Sequence, residues 1–289
     1  MVSDDRFALA VATAIGLGVF LMLGVVWGFG WQAVVGALPP AGGLWLWLTR
    51  RSRGRRRLDR QRFPDAWREV LEREVSFYRR LPEAERERFE REVRYFLSEH
   101  HMSGPRGEPV DDEVRILVGA SAAILAFGRP GYRWPRLRDI VVHGGAFDDQ
   151  YRVSPGAHWA GMVQPRGSIV IAEEELRKGF ARESDGYNVG LHELAHVLDL
   201  ETGAADGVPS GMPWAAIRPW LALMHQEMQR AERGRSVLST YAATNEAELF
   251  AVASEAFFER PRQLRRRHPE LYRVLQQVYG QDPTADRPG

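Results

Sequence analysis

A run of 22 residues without a charge, Phe7 to Gly28, constrains how the start of this chain can fold. Its sequence is FALAVATAIGLGVFLMLGVVWG, which as a helix is long enough to cross a bilayer core, where about 20 apolar residues suffice. A second uncharged run, Trp31 to Thr49, contains Pro39-Pro40 and fits a second span, a re-entrant segment or an interfacial one. We therefore predict that residues 1–49 form a membrane anchor of one or two hydrophobic spans.

Residues 50–62, RRSRGRRRLDRQR, carry eight arginines and one aspartate and form a basic juxtamembrane linker. Basic residues beside an apolar span stay on the cytoplasmic side, so we expect the following domain to face the cytoplasm from the inner membrane. Such a cluster typically contacts anionic headgroups, which makes membrane lipid its expected partner rather than nucleic acid. A cleaved signal peptide is the alternative for the apolar run, but the basic region that begins such peptides is missing.

The overall composition excludes several classes of protein. The 289 residues include no cysteine, which rules out disulfides and cysteine-ligated metals. The net charge of +1 gives no general attraction to nucleic acid. A second basic run, RPRQLRRRH at 260–268, has little aromatic interleaving and is typical of a solvated or lipid-facing helix end. We therefore expect no nucleic acid among the partners.

The spacing of apolar residues predicts a mainly helical α+β domain over residues 63–280, followed by a flexible tail over 281–289. Two helices are expected between residues 63 and 100, separated at Leu81-Pro82, and a third from a cap at Asp111-Asp112 to about Phe127. Strands at 138–143 and 168–172 should form a small sheet or hairpin system. The remaining helices are expected at residues 185–200, 214–233, 245–259 and 269–279.

The segment DGYNVGLHELAHVLDLETG, residues 185–203, holds the residues with the clearest chemistry. On a helix His192 and His196 share one face and can bind one ion, while Glu193 lies about 100° round the helix beside that ion. Catalytic zinc takes three protein ligands and a water, whose proton a neighbouring carboxylate can remove. The alternative is two satisfied surface histidines, but the apolar residues around them predict a buried helix, where unpartnered imidazoles would be costly.

A third ligand has to come from elsewhere in the chain. Position 202 is threonine, where the extended HExxHxxGxxH pattern needs histidine, and Asp199 on the same helix is better placed to support a ligand than to be one. The helix that starts at Asn245 offers Glu248, which lies in its apolar stretch and is expected to point inward, giving a gluzincin-like arrangement. Its other acids are Glu246 and Glu259, expected to be solvated, and Glu255.

Tyr241 lies seven residues before Glu248. A phenol near the metal could donate to the oxyanion that forms on an attacked carbonyl. Core packing is the alternative for a single tyrosine.

At these residues the chain resembles the Mlc titration factor A family of zinc peptidases, over most of residues 64–275. The resemblance rests on DGYNVGLHELAHVLDLETGAADGVP, on NEAELFAVASEAFFERP and on FLSEHHMSGPRGEPVDDEVRILVGASAAILAF. The first two motifs also look like the peptidase domain of anthrax lethal factor. The resemblance implies zinc on His192, His196 and Glu248, with Glu193 as catalytic base and Tyr241 as a transition-state donor. Glu255 has a matching position in the family motif.

The same resemblance implies a weak, aminopeptidase-like activity on small substrates, and its founding member binds a glucose-regulated transcriptional repressor. This chain departs from the family in its membrane segment and in the strand IVIAEEEL, where a Ser-Trp pair is expected. Two functions follow. One is a membrane-anchored zinc metallopeptidase acting on peptides or proteins. The other is a membrane-tethered regulatory partner of a transcriptional repressor, in which zinc is structural or activity incidental.

Overall fold

The computed structural model describes residues 2–27, 31–148, 152–153, 159–164, 166–182 and 184–285. The chain divides into two compact units between Arg62 and Phe63. Gly28 of the predicted span and residues 286–289 of the predicted tail lie outside the described residues. Residues 281–284 do make side-chain hydrogen bonds, among them Gln281 to Ile124 and Tyr272 to Asp282.

The first unit consists of helices α1 (Val2–Trp27), α2 (Trp31–Leu48) and α3 (Arg50–Leu58). Within the described residues, one stretch is long and apolar enough to cross a membrane: Leu9–Val26 in α1, with a mean hydropathy of 2.5. Helices α1 and α2 pack closely, and a Cβ atom added at Gly16 would lie 2.9 Å from Ala41 Cβ. The predicted basic linker, residues 50–62, is helical over Arg50–Leu58.

Most of the apolar side chains whose exposure is described in this first unit face outward. Only 17% of the apolar stretch in α1 is buried. Where α2 passes into α3, Arg50 lies over the Trp47 ring at 5.5 Å and Arg53 over the Trp45 ring at 5.8 Å. Large exposed apolar residues of the unit include Leu17, Leu21, Met22, Val25, Val26, Leu38 and Leu46.

The second unit is mainly helical with one small mixed sheet, as the sequence predicts. Its helices are α4 (Asp65–Glu74), α5 (Ser76–Arg79), α6 (Glu83–Glu99), α7 (Asp112–Ala126), α8 (Glu173–Ala181), α9 (Val189–Asp199), α10 (Trp214–Glu232), α11 (Glu246–Glu259), α12 (Pro261–Arg267) and α13 (Pro269–Tyr279). Its strands are β1 (His101–Ser103), β2 (Asp139–His143), β3 (Gly161–Val163) and β4 (Ile169–Ala172).

The sheet has the strand order β1-β2-β4-β3. Strands β1, β2 and β4 are parallel, whereas β3 runs antiparallel to β4 with Gly161 opposite Ile171. Strand β3 is therefore an edge strand. All four residues of β4 are buried, which fits a short apolar strand covered on both faces.

Two local predictions differ from the structure. The first predicted helix is interrupted at Val75, which has extended backbone angles between α4 and α5. The strand predicted at 168–172 is observed as β4, and the glutamates that follow it form the first turn of α8, where negative charge stabilises the helix amino end. Asp111 precedes α7 as predicted, but its carboxylate pairs with Arg177 at 2.8 Å instead of capping the helix.

Helices α7, α9 and α11 lie at the centre of the core. Helices α9 and α11 pack on each other, and α9 also packs on α7. Gly190 makes the second contact possible, because a Cβ atom there would lie 2.3 Å from Ser121 Oγ of α7. Nearly every residue of α9 and α11 is buried, so polar side chains on these helices need partners.

Candidate metal centre

The amino ends of α9 and α11 are fixed by two asparagine caps. The Asn188 side chain accepts a hydrogen bond from Leu191 N at 3.1 Å, and the Asn245 side chain accepts one from Glu248 N at 2.9 Å. These caps satisfy backbone donors that no helical carbonyl reaches. They place His192 and Glu248 within the first turns of two helices that face each other.

The three predicted ligand side chains converge. His192 Nε2 lies 3.1 Å from His196 Nε2 and 3.1 Å from Glu248 Oε2, and His196 Nε2 lies 3.4 Å from the same carboxylate oxygen. Two zinc bonds of about 2.0–2.1 Å at a tetrahedral angle separate their ligand atoms by about 3.3 Å. The triangle thus has the size and donor chemistry of a zinc site with one open position. Among the described residues, these three side chains form the one group of at least three potential metal ligands.

Glu255 supports this triangle from behind. Its Oε1 lies 2.7 Å from His192 Nδ1, and its Oε2 accepts a hydrogen bond from Asn188 N at 2.6 Å. A proton on Nδ1 directed at Glu255 leaves the Nε2 lone pair facing the ligand triangle. The carboxylate is almost fully buried, so Glu255 both orients the ring and ties α11 to the start of α9.

The charges of the predicted ligand side chains and of Glu255 shift one another's pKa values. Burial acts to lower the pKa of His192, but the carboxylates of Glu255 and Glu248 outweigh it and raise that pKa well above its usual value. Burial acts to raise the pKa of Glu248, but hydrogen bonds from His192 and His196 hold it well below its usual range. A metal ion bound here would compete with protons for the same side chains.

Glu193 is buried beside the triangle, on the side of strand β3. Burial, with the nearby Glu248 and Glu255 carboxylates, raises its pKa to about 8, although His192 acts in the opposite direction. Gly161 of β3 packs directly against this carboxylate, where a Cβ atom would lie 2.2 Å from Glu193 Oε1. A glycine at this place lets the strand approach the carboxylate, a requirement that the motif alone does not reveal.

Tyr241 belongs to the 3₁₀ turn Thr240–Ala243 just before α11. Its ring centroid lies 6.1 Å from that of His192, and 44% of the residue is exposed. Burial of the hydroxyl end, together with the neighbouring Glu248 carboxylate, raises the pKa of Tyr241 to about 12. The phenol faces the ligands rather than the core.

Asp199 is not among the residues that converge on the triangle. Its Oδ2 accepts a hydrogen bond from Gly207 N at 2.8 Å, which ties the end of α9 to the following loop. Its Oδ1 is buried and has no hydrogen-bond partner among the described residues, and burial raises the pKa of the carboxyl to about 6. Gly207 also packs against α11, where a Cβ atom would lie 2.5 Å from the Glu246 carbonyl oxygen.

The other acids of α11 have separate surroundings. Glu246 lies at the cleft and has a 37% exposed side chain, 3.6 Å from His225 Nε2. Glu259 accepts a hydrogen bond from Ser184 N at 2.9 Å. The contact of Glu255 with His192 joins residues 63 positions apart. Its spacing of seven from Glu248, two helical turns, is the sequence signal that places both on one face.

A cleft of about 550 Å³ opens over the triangle. Strand β3 forms one wall, and the segment after α9 forms the other, with Leu200, Ala204 and Ala205. Tyr241 and Glu246 stand at its α11 side. The cleft is mostly apolar around a small set of convergent polar groups, as is typical of ligand sites.

Comparison with known proteins gives consistent matches. A family model described as glucose-regulated metallo-peptidase M90 matches residues 48–280. The uncharacterized protein slr2042 of Synechocystis sp. is 30% identical over 234 residues, which cover 76% of this chain and 85% of that protein. Mlc titration factor A of Pectobacterium atrosepticum is 34% identical over 163 residues, covering 51% of this chain and 60% of that protein. The protein of the same name from Cronobacter sakazakii is 34% identical over 211 residues, covering 65% and 77%.

Proposed function

Because the chain belongs to the glucose-regulated metallo-peptidase M90 family, we propose that it is a zinc-dependent peptidase whose metal is held by His192, His196 and Glu248. The observation that carries the proposal is the triangle of ligand atoms, whose edges of 3.1–3.4 Å suit tetrahedral zinc. Two ligands from the HExxH helix and a glutamate from a second helix make the site gluzincin-like.

When bound, zinc supplies a Lewis acid that polarises a carbonyl and lowers the pKa of a water molecule to near neutral pH. Glu193 takes the proton of the attacking water and returns it to the amine nitrogen that departs. Tyr241 donates its hydroxyl hydrogen to the substrate oxygen as negative charge develops there, and its raised pKa keeps the phenol protonated at neutral pH. Glu255 holds His192 in the tautomer that binds the metal.

The peptide substrate pairs with the edge of β3. Gly161 and Val163 line the cleft, and β3 has no neighbouring strand on its outer side within the described sheet. An extended chain can add to such an edge through main-chain hydrogen bonds. This pairing would hold the peptide beside Glu193.

An aminopeptidase-like preference is supported by Glu246. Its carboxylate is the acid that lines the cleft apart from the ligand and the base, and it could receive an N-terminal ammonium. If so, N-acetylation of a short peptide should lower kcat/KM. In the Glu246→Gln variant the free and the acetylated peptide should have nearly equal kcat/KM. An equal response of both peptides to Glu246→Gln would point to internal cleavage.

Metal analysis of the full chain tests the site independently of activity. Wild type should hold about one zinc per chain, and Glu248→Ala should lose most of it. Glu193→Gln should keep the metal and lose peptidase activity. Activity retained in Glu193→Gln, or a well-folded wild type that takes up no zinc, would contradict the proposal.

We also propose that residues 1–49 anchor the enzyme in the cytoplasmic membrane and that the arginines of α3 contact anionic lipid. The support is the outward-facing apolar surface of α1 and α2, followed by arginines stacked on tryptophans at the end of α2. The cysteine-free chain allows a simple test with Thr284→Cys. An impermeant maleimide should label it only after the cells are opened. Labelling of intact cells would reverse the orientation.

The second candidate is a membrane-tethered binding protein for a transcriptional repressor. Its support is the name of the relatives, Mlc titration factor A, which describes those proteins. A structural zinc would be closed by a fourth protein ligand, and the described residues offer three at the triangle. A regulatory effect in cells that survives Glu193→Gln unchanged would favour binding, whereas its loss with metal retained would favour hydrolysis.

A further inference from the structure

A second depression lies between α10 and α13, away from the metal ligands. Its volume is about 590 Å³, similar to that of the metal cleft, and the residues that line the two are different. Cavities of this size accept small ligands. Its position gives it no part in the proposed reaction.

The two long walls of this groove differ in polarity. The α10 wall is apolar, with Trp220 at its base. On α13 the valines lie toward the base of the groove. Polar side chains form the rim, and their spacing of three and four residues places them on one helix face. A ligand with apolar groups on one side and hydrogen-bonding groups along the other, such as a peptide, fits both walls. The residues concerned are Ala216, Pro219 and Leu223 on α10, and Glu270, Arg273, Val274, Gln277 and Val278 on α13.

The two ends of the groove carry opposite charges. Glu270 lies in the first turn of α13, and no hydrogen bond or ion pair of its side chain is found within the described residues. Arg129 lies at the other end, where its Nε donates to the Val278 carbonyl oxygen at 2.9 Å. Burial raises the pKa of the half-buried Glu201, against the smaller effect of the Arg129 charge, and the Glu201 carboxylate accepts a hydrogen bond from Ser210 Oγ rather than from Arg129. The hydrogen bond that holds the Arg129 guanidinium is thus made to an uncharged group, the Val278 carbonyl.

The distance between these charges sets the size of the ligand. Glu270 and Val278 are eight residues apart on one helix, about 12 Å along its axis. An extended peptide advances about 3.3 Å per residue, so about four residues bridge this distance. We propose that the groove binds an apolar peptide of three or four residues with both termini free, its ammonium at Glu270 and its carboxylate at Arg129.

The base of the groove is linked to the metal centre. Trp220 Nε1 donates to the Gly207 carbonyl oxygen at 2.7 Å, and Gly207 N donates to Asp199 of α9. Short peptides are the product class of a peptidase, so this groove is placed to respond to products. Binding of a short peptide in this groove does not require the proposed reaction.

Calorimetric titration of the full chain in lipid nanodiscs tests the proposal. The probe is Val-Leu-Ala-Leu with free termini, and the protein is Glu193→Gln stripped of metal by a chelator, so that the probe is neither cleaved nor held by a metal. We expect one site per chain. N-acetylation and C-terminal amidation should each weaken binding about tenfold or more, because each removes a charged hydrogen-bonding partner.

Groove variants locate the site. Glu270→Gln should reduce the affinity of the free peptide to that of the acetylated peptide, and should leave the acetylated peptide unchanged. Glu83→Gln, an exposed acid in the first turn of α6, is the matched control and should have no effect. Ala216→Trp, which fills the groove, should abolish binding.

Equal affinity for free and blocked peptides would overturn the proposal, as would binding that persists in Ala216→Trp. A concentration-dependent mass that Ala216→Trp abolishes would instead identify a second copy of this chain as the occupant. Because the probe experiment uses metal-free protein, its failure leaves the zinc and activity measurements on wild type untouched.

Discussion

Gly161 of strand β3 and Glu193 of helix α9 are in direct contact, and position 161 has no room for a side chain against that carboxylate. The edge strand and the proposed base are thereby held in one arrangement. The contact joins the place where a peptide would pair to the group that would act on it.

Gly161→Ala should therefore displace the Glu193 carboxylate and lower kcat about a hundredfold, since a shift of about 1 Å in a reacting group has an effect of that order. Zinc content should not change, because no ligand moves. Gly144→Ala is the matched control, since a Cβ atom there meets nothing within 4 Å. Unchanged kcat in Gly161→Ala would show that Glu193 is not positioned by β3.

Glu255→Gln should weaken zinc binding about 10- to 100-fold, because the amide no longer holds His192 in one tautomer with the strength of a carboxylate. Competition with a chromophoric chelator measures the affinity. Glu259→Gln, one turn further along α11, removes an acid that bonds Ser184 and should bind zinc as wild type does. Equal zinc affinities in the two variants would mean that the Glu255 contact is only structural.

Tyr241→Phe should lower kcat about 10²-fold or more, with little change in zinc content, because it removes one hydrogen-bond donor to the developing oxyanion. Tyr272→Phe removes the hydroxyl of a tyrosine that bonds Asp282 and does not line the cleft, and is the control. A rise in KM with constant kcat would instead assign Tyr241 to substrate binding.

Asp199 should make the metal-free chain less stable as pH rises. Burial raises its folded pKa from 3.8 to about 6. Between these values the folded chain keeps a proton that the unfolded chain has released, so this stabilising contribution falls with increasing pH. Between pH 4.5 and 7 the loss should be roughly 2 kcal/mol. Asp199→Asn should reduce the pH dependence of the free energy of unfolding, measured by denaturant titration, by that amount. Parallel curves for the two proteins would contradict this.

Sequence patterns predict the elements of this fold well wherever capping and stop signals are local. The helix at 214–233 is observed as Trp214–Glu232, and the helix at 245–259 is observed as Glu246–Glu259 with Asn245 as its cap and Pro261 beyond its end. Strands β1 and β3 are three residues long and depend on pairing with distant segments, which gives them no pattern of their own. The break at Val75 has no glycine or proline to mark it.

The candidate metal centre divides in the same way. Helical spacing predicts His192 and His196, the apolar stretch of α11 predicts Glu248, and the three side chains lie close together. The resemblance to the Mlc titration factor A family is confirmed by the family match and by relatives of that name. The close approach of Gly161 and the bond from Glu255 to Asn188 depend on how helices and strands distant in sequence pack, and no single segment contains that information.

Gly207 has a wider consequence. Its backbone N–H donates to Asp199 on the HExxH helix, its carbonyl oxygen accepts from Trp220 at the base of the groove, and it packs against α11 beside the proposed ligand Glu248. A compound that filled the groove and displaced Trp220 would act through this residue on both helices that carry the proposed ligands. Such a compound would need no zinc-chelating group.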